Sequence, residues 1–128
     1  MIDSDSAAPS PPRSASPRVV VVGTCASGKS SLAATLKAAG IQAMAVSQEH
    51  SAVRELWDRT SPTHVILLET DVETIRSRRS DPAWPVWLFE EQSARLASAR
   101  AHATLVIDTR NLSKDEVVAV ALSHVTSG

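Results

Sequence analysis

Residues 19–30 read VVVVGTCASGKS, a run of four valines followed by a loop with a glycine at each end and then Lys-Ser. Four consecutive β-branched residues favour a strand that is buried on both faces. Gly23 and Gly28 allow the backbone between them to curl, so that successive N–H groups point at one anion. The residues after Gly28 predict a helix, whose N-terminus adds partial positive charge. This stretch therefore predicts a strand–loop–helix unit suited to a phosphate group.

Outward from this unit, short apolar runs alternate with helical patterns. Strands that are uniformly apolar and separated by helices indicate a parallel sheet covered on both faces. We therefore predict an α/β protein, a three-layer α/β/α domain with a parallel sheet of about four strands. The predicted strands after the first span 41–46, 63–69 and 104–108. The predicted helices span 28–39, 51–59 and 85–101, with two more that begin at capping boxes, Thr70 with Glu73 and Ser113 with Glu116. The last helix should turn four residues inward: Val117, Val120, Ala121 and Val125.

Composition separates a tail from a domain and excludes several classes of function. Residues 1–17 hold four of the seven prolines and almost no large apolar residue, which predicts a disordered tail before a domain at 18–128. A formal net charge of −1 argues against nucleic-acid binding, which requires a basic face. No apolar run approaches the ~20 residues of a membrane span. The single cysteine, Cys25, favours a reducing compartment, and we expect a cytoplasmic protein.

The loop carries the clearest chemical signal, because residues 23–30 match the pattern G-x-x-x-x-G-K-[ST]. In this pattern the lysine reaches the β- and γ-phosphates of a nucleotide and the hydroxyl that follows it binds Mg²⁺. Lys29 and Ser30 occupy these two positions. We expect Lys29 to be an exposed charge that does little packing.

With this motif the chain resembles the P-loop NTPase superfamily, and within it the small nucleoside, nucleotide and metabolite kinases in a reduced, four-stranded form. Three segments are similar to those kinases: VSQEH at 46–50, THVILLETDVETIRSRR at 63–79 and RLASARAHATLVIDT at 95–109. The resemblance implies that Glu49 faces an acceptor hydroxyl and that Arg76, Arg78 and Arg79 belong to a lid. It also implies that Arg110 lines the nucleotide base. The residues expected to bind ATP are Gly23, Thr24, Cys25, Ala26, Ser27, Gly28, Lys29, Ser30, Ser31 and Arg110.

Each of the charged candidates also has a plainer interpretation. Glu49 is suited to be a general base for an acceptor hydroxyl, and it is equally suited to be an acidic residue at a helix N-terminus. The three arginines at 76–79 can neutralise a migrating phosphoryl group as catalytic residues, or they can complement a helix C-terminus. The sequence leaves both pairs of interpretations open.

The leading hypothesis from the sequence is an ATP-dependent phosphotransferase. It would use Mg²⁺ and transfer the γ-phosphoryl group of ATP to an unidentified small-molecule acceptor, with Lys29, Glu49 and the arginines as catalytic residues. The alternative is a regulatory module that binds a nucleotide and transfers nothing. A third hypothesis is a hydrolase that acts with a partner supplying the missing groups.

Overall fold

The computed structural model describes residues 16–127, and most of the predicted tail at 1–17 lies outside them. Helical segments separate the strands along the described chain: two single turns of 3₁₀ helix lie between β2 and β3, and three α-helices lie between β3 and β4. No helix in this part of the chain has both the length and the apolar composition needed to cross a membrane. The elements are β1 (Arg18–Gly23), α1 (Lys29–Ala38), β2 (Gln42–Ala45), the 3₁₀ turns Gln48–His50 and Leu56–Asp58, β3 (His64–Glu69), α2 (Val72–Arg79), α3 (Val86–Arg95), α4 (Ala97–His102), β4 (Leu105–Asp108) and α5 (Lys114–Ser127).

Within residues 16–127 the strands form one parallel sheet of four, in the order β2-β1-β3-β4. The valine strand β1 is therefore internal, with β2 on one side and β3 on the other. Gly23 at its end pairs with Leu68 of β3. The mixed α/β fold with one parallel sheet, predicted from the sequence, is confirmed. In this register the β1–α1 loop (residues 24–28) lies beside the end of β3 at the carboxyl edge of the sheet, where such domains place their ligand sites.

The four valines supply both faces of the sheet, because successive side chains of a strand point to opposite sides. Val19 and Val21 face a core that includes Leu36 of α1 and Ala121 of α5. Val20 and Val22 face a second core, which contains Trp57, Leu96 and Ala99. All four valines are at most 2 % exposed. The uninterrupted apolar run in the sequence follows from this double coverage.

The predicted helix at 51–59 is wrong. Only the 3₁₀ turn Leu56–Asp58 forms there, and the reason is the buried side chain of Gln48. Its Nε2 donates to the carbonyl of Val53 at 2.7 Å and its Oε1 accepts from the backbone N–H of Trp57 at 3.0 Å. These bonds satisfy backbone groups through a side chain, so the segment wraps around Gln48 in place of coiling into a helix.

Three other helix predictions need adjustment. The predicted helix at 85–101 is divided at Leu96, a buried residue at φ −90° and ψ 0° between α3 and α4. The N-cap of α2 is Asp71, whose Oδ1 accepts from the N–H of Thr74 at 2.8 Å, and not Thr70.

The capping box at the start of α5 is confirmed. Of the four residues expected to face inward on α5, Val120 is 41 % exposed.

Candidate functional site

The β1–α1 loop folds tightly against the end of β3, and this packing requires glycine at position 23. A Cβ on Gly23 would lie 2.5 Å from Ser27 Oγ and 2.8 Å from the carbonyl oxygen of Leu68. Gly28 adopts φ +95°, a left-handed conformation that favours glycine, and it is the N-cap residue of α1. The two glycines of the motif therefore have different roles, close packing at the start of the loop and backbone conformation at its end.

The N-terminus of α1 presents free backbone donors. The first intrahelical bond runs from the N–H of Leu32 to the carbonyl of Gly28 at 3.0 Å, so the N–H groups of residues 29–31 have no partner within the helix. Among the described residues, no side chain caps this end, and the first turn contains no acidic residue. An α-helix end with free N–H groups and uncompensated positive partial charge is suited to hold an anion.

Buried oxygens without partners gather at the same edge of the sheet. In residues 16–127, four buried side-chain oxygens lack a hydrogen-bond partner: Thr24 Oγ1, Ser27 Oγ, Glu49 Oε1 and Thr70 Oγ1. Thr24 and Ser27 belong to the loop itself, and Glu49 contacts Lys29. Leaving such a group unsatisfied costs about 1–3 kcal/mol, so this concentration at one place points to a bound ligand or water.

Lys29 forms an ion pair with Glu49. Its Nζ lies 2.5 Å from Glu49 Oε2, and the side chains are 13 % and 1 % exposed. His50 Nε2 lies 3.5 Å from the same carboxylate oxygen. The expectation that Lys29 is an exposed charge with little packing is therefore wrong, because a carboxylate buried in the turn after β2 draws the ammonium group inward.

The three arginines predicted to form a lid point to different places. Arg78 donates to the carbonyl of Ala26 in the loop at 2.8 Å and to the carbonyl of Thr109, just after β4, at 2.8 Å. Arg76 donates from Nε to the carbonyl of Trp84 at 2.8 Å, in the connection between α2 and α3. Arg79 is exposed at the end of α2. Of the three, only Arg78 contacts the loop, through the carbonyl oxygen of Ala26.

Arg110 lies in an ion pair with two acidic residues. Its Nη2 is 2.6 Å from Asp108 Oδ2, and its Nη1 is 3.5 Å from Asp71 Oδ2. Hydrogen bonds from Arg110 lower the pKa of Asp108 below its usual value. The pKa of Asp71 is lowered first by hydrogen bonds from Thr74 and then by Arg110. Arg110 thus joins the end of β4 to the start of α2, and the cavity beside the loop is lined by other residues.

Sequence reasoning missed Gln92, which is fully buried on α3 and touches the loop. Its Oε1 accepts from the backbone N–H of Cys25 at 3.0 Å, and its Nε2 donates to Cys25 Sγ at 3.0 Å. One signal was present: Leu88, Gln92 and Leu96 are spaced by four residues, so Gln92 occupies a core position of a helical pattern. A polar residue at such a position implies a specific hydrogen-bond partner.

A cavity of about 770 Å³ opens beside the loop, between α1 and α5. Its volume is within the range of small-molecule and cofactor sites. Both polar and apolar side chains line it, and the polar ones include Thr35 of α1 and Lys114 and Asp115 of α5. The polar lining includes Ser27, Ser31, Arg78 and Thr109, and the apolar lining includes Leu32, Leu112, Val118 and Leu122.

The fold and the site define a class, an α/β domain with one parallel sheet and a glycine-containing loop at the carboxyl edge of that sheet. Within residues 16–127, no cluster of three His, Cys, Asp or Glu side chains is placed to hold a metal ion. Ser30, predicted to bind Mg²⁺, lies exposed in the first turn of α1. No family model matches the chain, and no curated protein matches it.

Proposed function

We propose that this chain is a P-loop protein that binds ATP at residues 23–31 and transfers its γ-phosphoryl group to a small acceptor molecule. The observation that carries the proposal is the Lys29–Glu49 ion pair beside the free N-terminus of α1. At this position a cation, a row of backbone N–H donors and a buried carboxylate lie next to one another. Such groups are suited to phosphoryl transfer, because catalysis of this reaction consists mainly of positioning the phosphates and stabilising their charge.

The loop is suited to a polyphosphate in three respects. The N–H groups at the start of α1 are free to donate, and the helix end adds positive charge. Lys29 supplies a full charge. The orphaned hydroxyl groups of Thr24 and Ser27 are suited to a polar ligand. The hydroxyl of Ser30 is the group that would hold Mg²⁺, which supplies neutralising charge to phosphates when bound.

The cavity between α1 and α5 is the place for the rest of the nucleotide. It begins at Ser27 and Gly28 of the loop, so a nucleoside attached to phosphates there has direct access to it. The hydroxyl groups of its lining, such as those of Ser31 and Thr109, are suited to a ribose, and its apolar side chains are suited to a base. Leu112 and Val118 on the α5 side would contact the base in place of Arg110.

Glu49 is the residue suited to accept a proton during transfer. Its Oε2 holds Lys29, while its Oε1 has no partner in the described chain. In the proposed reaction the acceptor oxygen bonds to the γ-phosphorus, and the bond from that phosphorus to the β–γ bridging oxygen breaks. The hydroxyl proton of the acceptor passes to Glu49. ADP and the phosphorylated acceptor are the products.

A second candidate function is a module that binds ATP without transferring phosphate. The observation that favours it is the placement of the arginines, because Arg76 is bonded to the carbonyl of Trp84 and Arg79 lies exposed. The one arginine of the cluster that reaches the loop, Arg78, has its guanidinium engaged by the carbonyls of Ala26 and Thr109, and charge stabilisation in a transition state needs a cation directed at the migrating group.

ATP titration of Lys29→Met tests the binding proposal, with Lys37→Met as the matched control. Both lysines lie on α1, and Lys37 is exposed in its last turn. Loss of a charge-assisted contact should weaken ATP binding by about 30-fold in Lys29→Met, and the control should bind like the wild type. Equal affinities for ATP in the wild type and in Lys29→Met would show that the phosphates lie elsewhere.

Incubation of the wild-type protein with Mg²⁺, ATP and pooled nucleosides, nucleotides and small alcohols separates the two candidates. A kinase yields an acceptor heavier by one phosphate, as read by mass spectrometry. In that case Glu49→Gln should lower turnover by about 100-fold and preserve ATP binding. ATP binding without any phosphorylated product would favour the module.

A further inference from the structure

Helix α3 contacts the β1–α1 loop through the buried side-chain amide of Gln92. Gln92 has no solvent exposure, and both of its polar atoms are bonded to Cys25. The orientation of the amide is fixed, since Oε1 must face the backbone N–H and Nε2 must then face Sγ. A flipped amide would set two N–H donors against each other.

The contact removes one donor from the loop and fixes the position of the others. The N–H of Cys25 is bonded to Gln92, and that of Ser27 is bonded to the carbonyl of Thr24 at 3.3 Å. In the described chain, the loop donors after Cys25 that remain for an anion are therefore the N–H groups of Ala26 and Gly28. Ala26 adopts φ +57°, an uncommon conformation for a residue with a side chain. It persists only where the surroundings hold it, and Gln92 anchors the residue immediately before it.

Helix α3 also contacts the turn that carries Glu49, the ion-pair partner of Lys29. Arg95, one turn after Gln92, donates from Nη1 to the carbonyl of Glu49 at 3.3 Å and is itself held by Glu91 at 2.7 Å. Side chains three residues apart on α3 therefore contact the loop and the turn that carries Glu49. Both groups of the proposed site are positioned by one rigid element.

We propose that Gln92 is a positioning residue, which holds Cys25 and thereby keeps the loop in the shape that accepts phosphates. The effect on nucleotide binding rests on the proposed function, but the effect on the loop does not. This difference allows the two ideas to be tested separately.

Cys25 is the only cysteine of the chain, so a thiol reagent reports on the loop at a single site. The test measures the alkylation rate of Cys25 by iodoacetamide in the full chain under native conditions. The Gln92→Leu variant keeps most of the buried volume and loses both bonds, so Cys25 should react at least 10-fold faster than in the wild type. The matched control is Gln42→Leu on the exposed edge of β2, which should react at the wild-type rate.

A second variant, Gln92→Glu, keeps an acceptor for the N–H of Cys25 and loses the donor to its sulfur. Its rate should fall between those of the wild type and Gln92→Leu, a partial rescue that loosened core packing would not produce. Where Gln92→Leu does not fold, Gln92→Met takes its place, because methionine has the unbranched shape of glutamine and also loses both bonds. A wild-type alkylation rate in Gln92→Leu, or an equal acceleration in both variants, would overturn the positioning role.

Addition of ATP to the same reaction separates this inference from the proposed function. If ATP binds the loop, it should slow alkylation of the wild type, and Gln92→Leu should need about 10-fold more ATP for the same protection. Faster alkylation in Gln92→Leu with no protection by ATP in any variant would retain the positioning role and reject the nucleotide.

Discussion

Replacing Lys29 by Met should destabilise the fold because it leaves the carboxylate of Glu49 buried without its partner. At the 2.5 Å between Nζ and Oε2, two unit charges attract by about 7 kcal/mol at an effective dielectric constant of about 20. Desolvation of both ions offsets much of this attraction, and removal of one member of a buried pair costs about 3–5 kcal/mol. We expect about 3 kcal/mol for Lys29→Met, since Lys29 keeps some solvent contact.

Replacing Glu49 by Gln should lower the free energy of unfolding by less than Lys29→Met does. In Glu49→Gln the unpaired group is Lys29, which is 13 % exposed and has a flexible stem that can carry its charge to water. We expect a cost of about 1 kcal/mol for Glu49→Gln. In the double variant no charge is stranded, so it should be about 2 kcal/mol more stable than Lys29→Met alone.

Urea unfolding followed by tryptophan fluorescence measures these free energies, because Trp57 and Trp84 are buried in the native state. The series is built on His50→Gln, since His50 Nε2 is 3.5 Å from the same oxygen of Glu49 and an imidazolium can replace the ammonium. A Lys29→Met variant as stable as its parent, or a double variant no more stable than Lys29→Met, would refute the reasoning.

Two further predictions concern the start of the loop and the start of α2. Gly23→Ala should cost about 2 kcal/mol and weaken ATP binding, because its Cβ would meet the carbonyl of Leu68 at 2.8 Å. The control Gly40→Ala, at φ +88° with no atom within 4 Å, should lower stability and preserve binding; equal losses of ATP affinity would contradict the packing argument. Asp71→Ala should cost about 1 kcal/mol at pH 7 through loss of the N-cap bond to Thr74. The pKa of Asp71 is lowered from 3.8 in the folded chain. The contribution of its carboxylate to stability is therefore present above pH 3.8 and is lost as the pH falls through the lowered pKa. In urea unfolding, the difference in stability between wild type and Asp71→Ala should shrink below about pH 4.

The alternation of apolar runs with helical patterns was sufficient to predict the parallel sheet, and the valine run with the loop after it was sufficient to predict a strand–loop–helix unit within that sheet. A strand of four β-branched residues must be covered on both faces, and only helices crossing between parallel strands cover it in so short a chain. The capping box at Ser113 and Glu116 was also evident, because its two bonds join residues three apart. In each of these cases the deciding interactions are local or follow from periodicity.

The failures depend on side-chain contacts that the local sequence pattern does not reveal, two of them between residues distant in the chain. Glu49 draws Lys29 inward across 20 positions, and Gln92 reaches Cys25 across 67. Gln48 replaces the expected helix at 51–59 with bonds to Val53 and Trp57.

The arginines at 76–79 form a single cluster in the sequence, yet successive residues of a helix point about 100° apart. On α2 this rotation aims Arg78 at the carbonyl of Ala26 and Arg76 at the carbonyl of Trp84. The sequence alone determined the parallel sheet and the loop at its carboxyl edge. Which charges meet at that loop was decided only by the tertiary structure, because the partner of a buried polar group is set by packing and not by its distance along the chain.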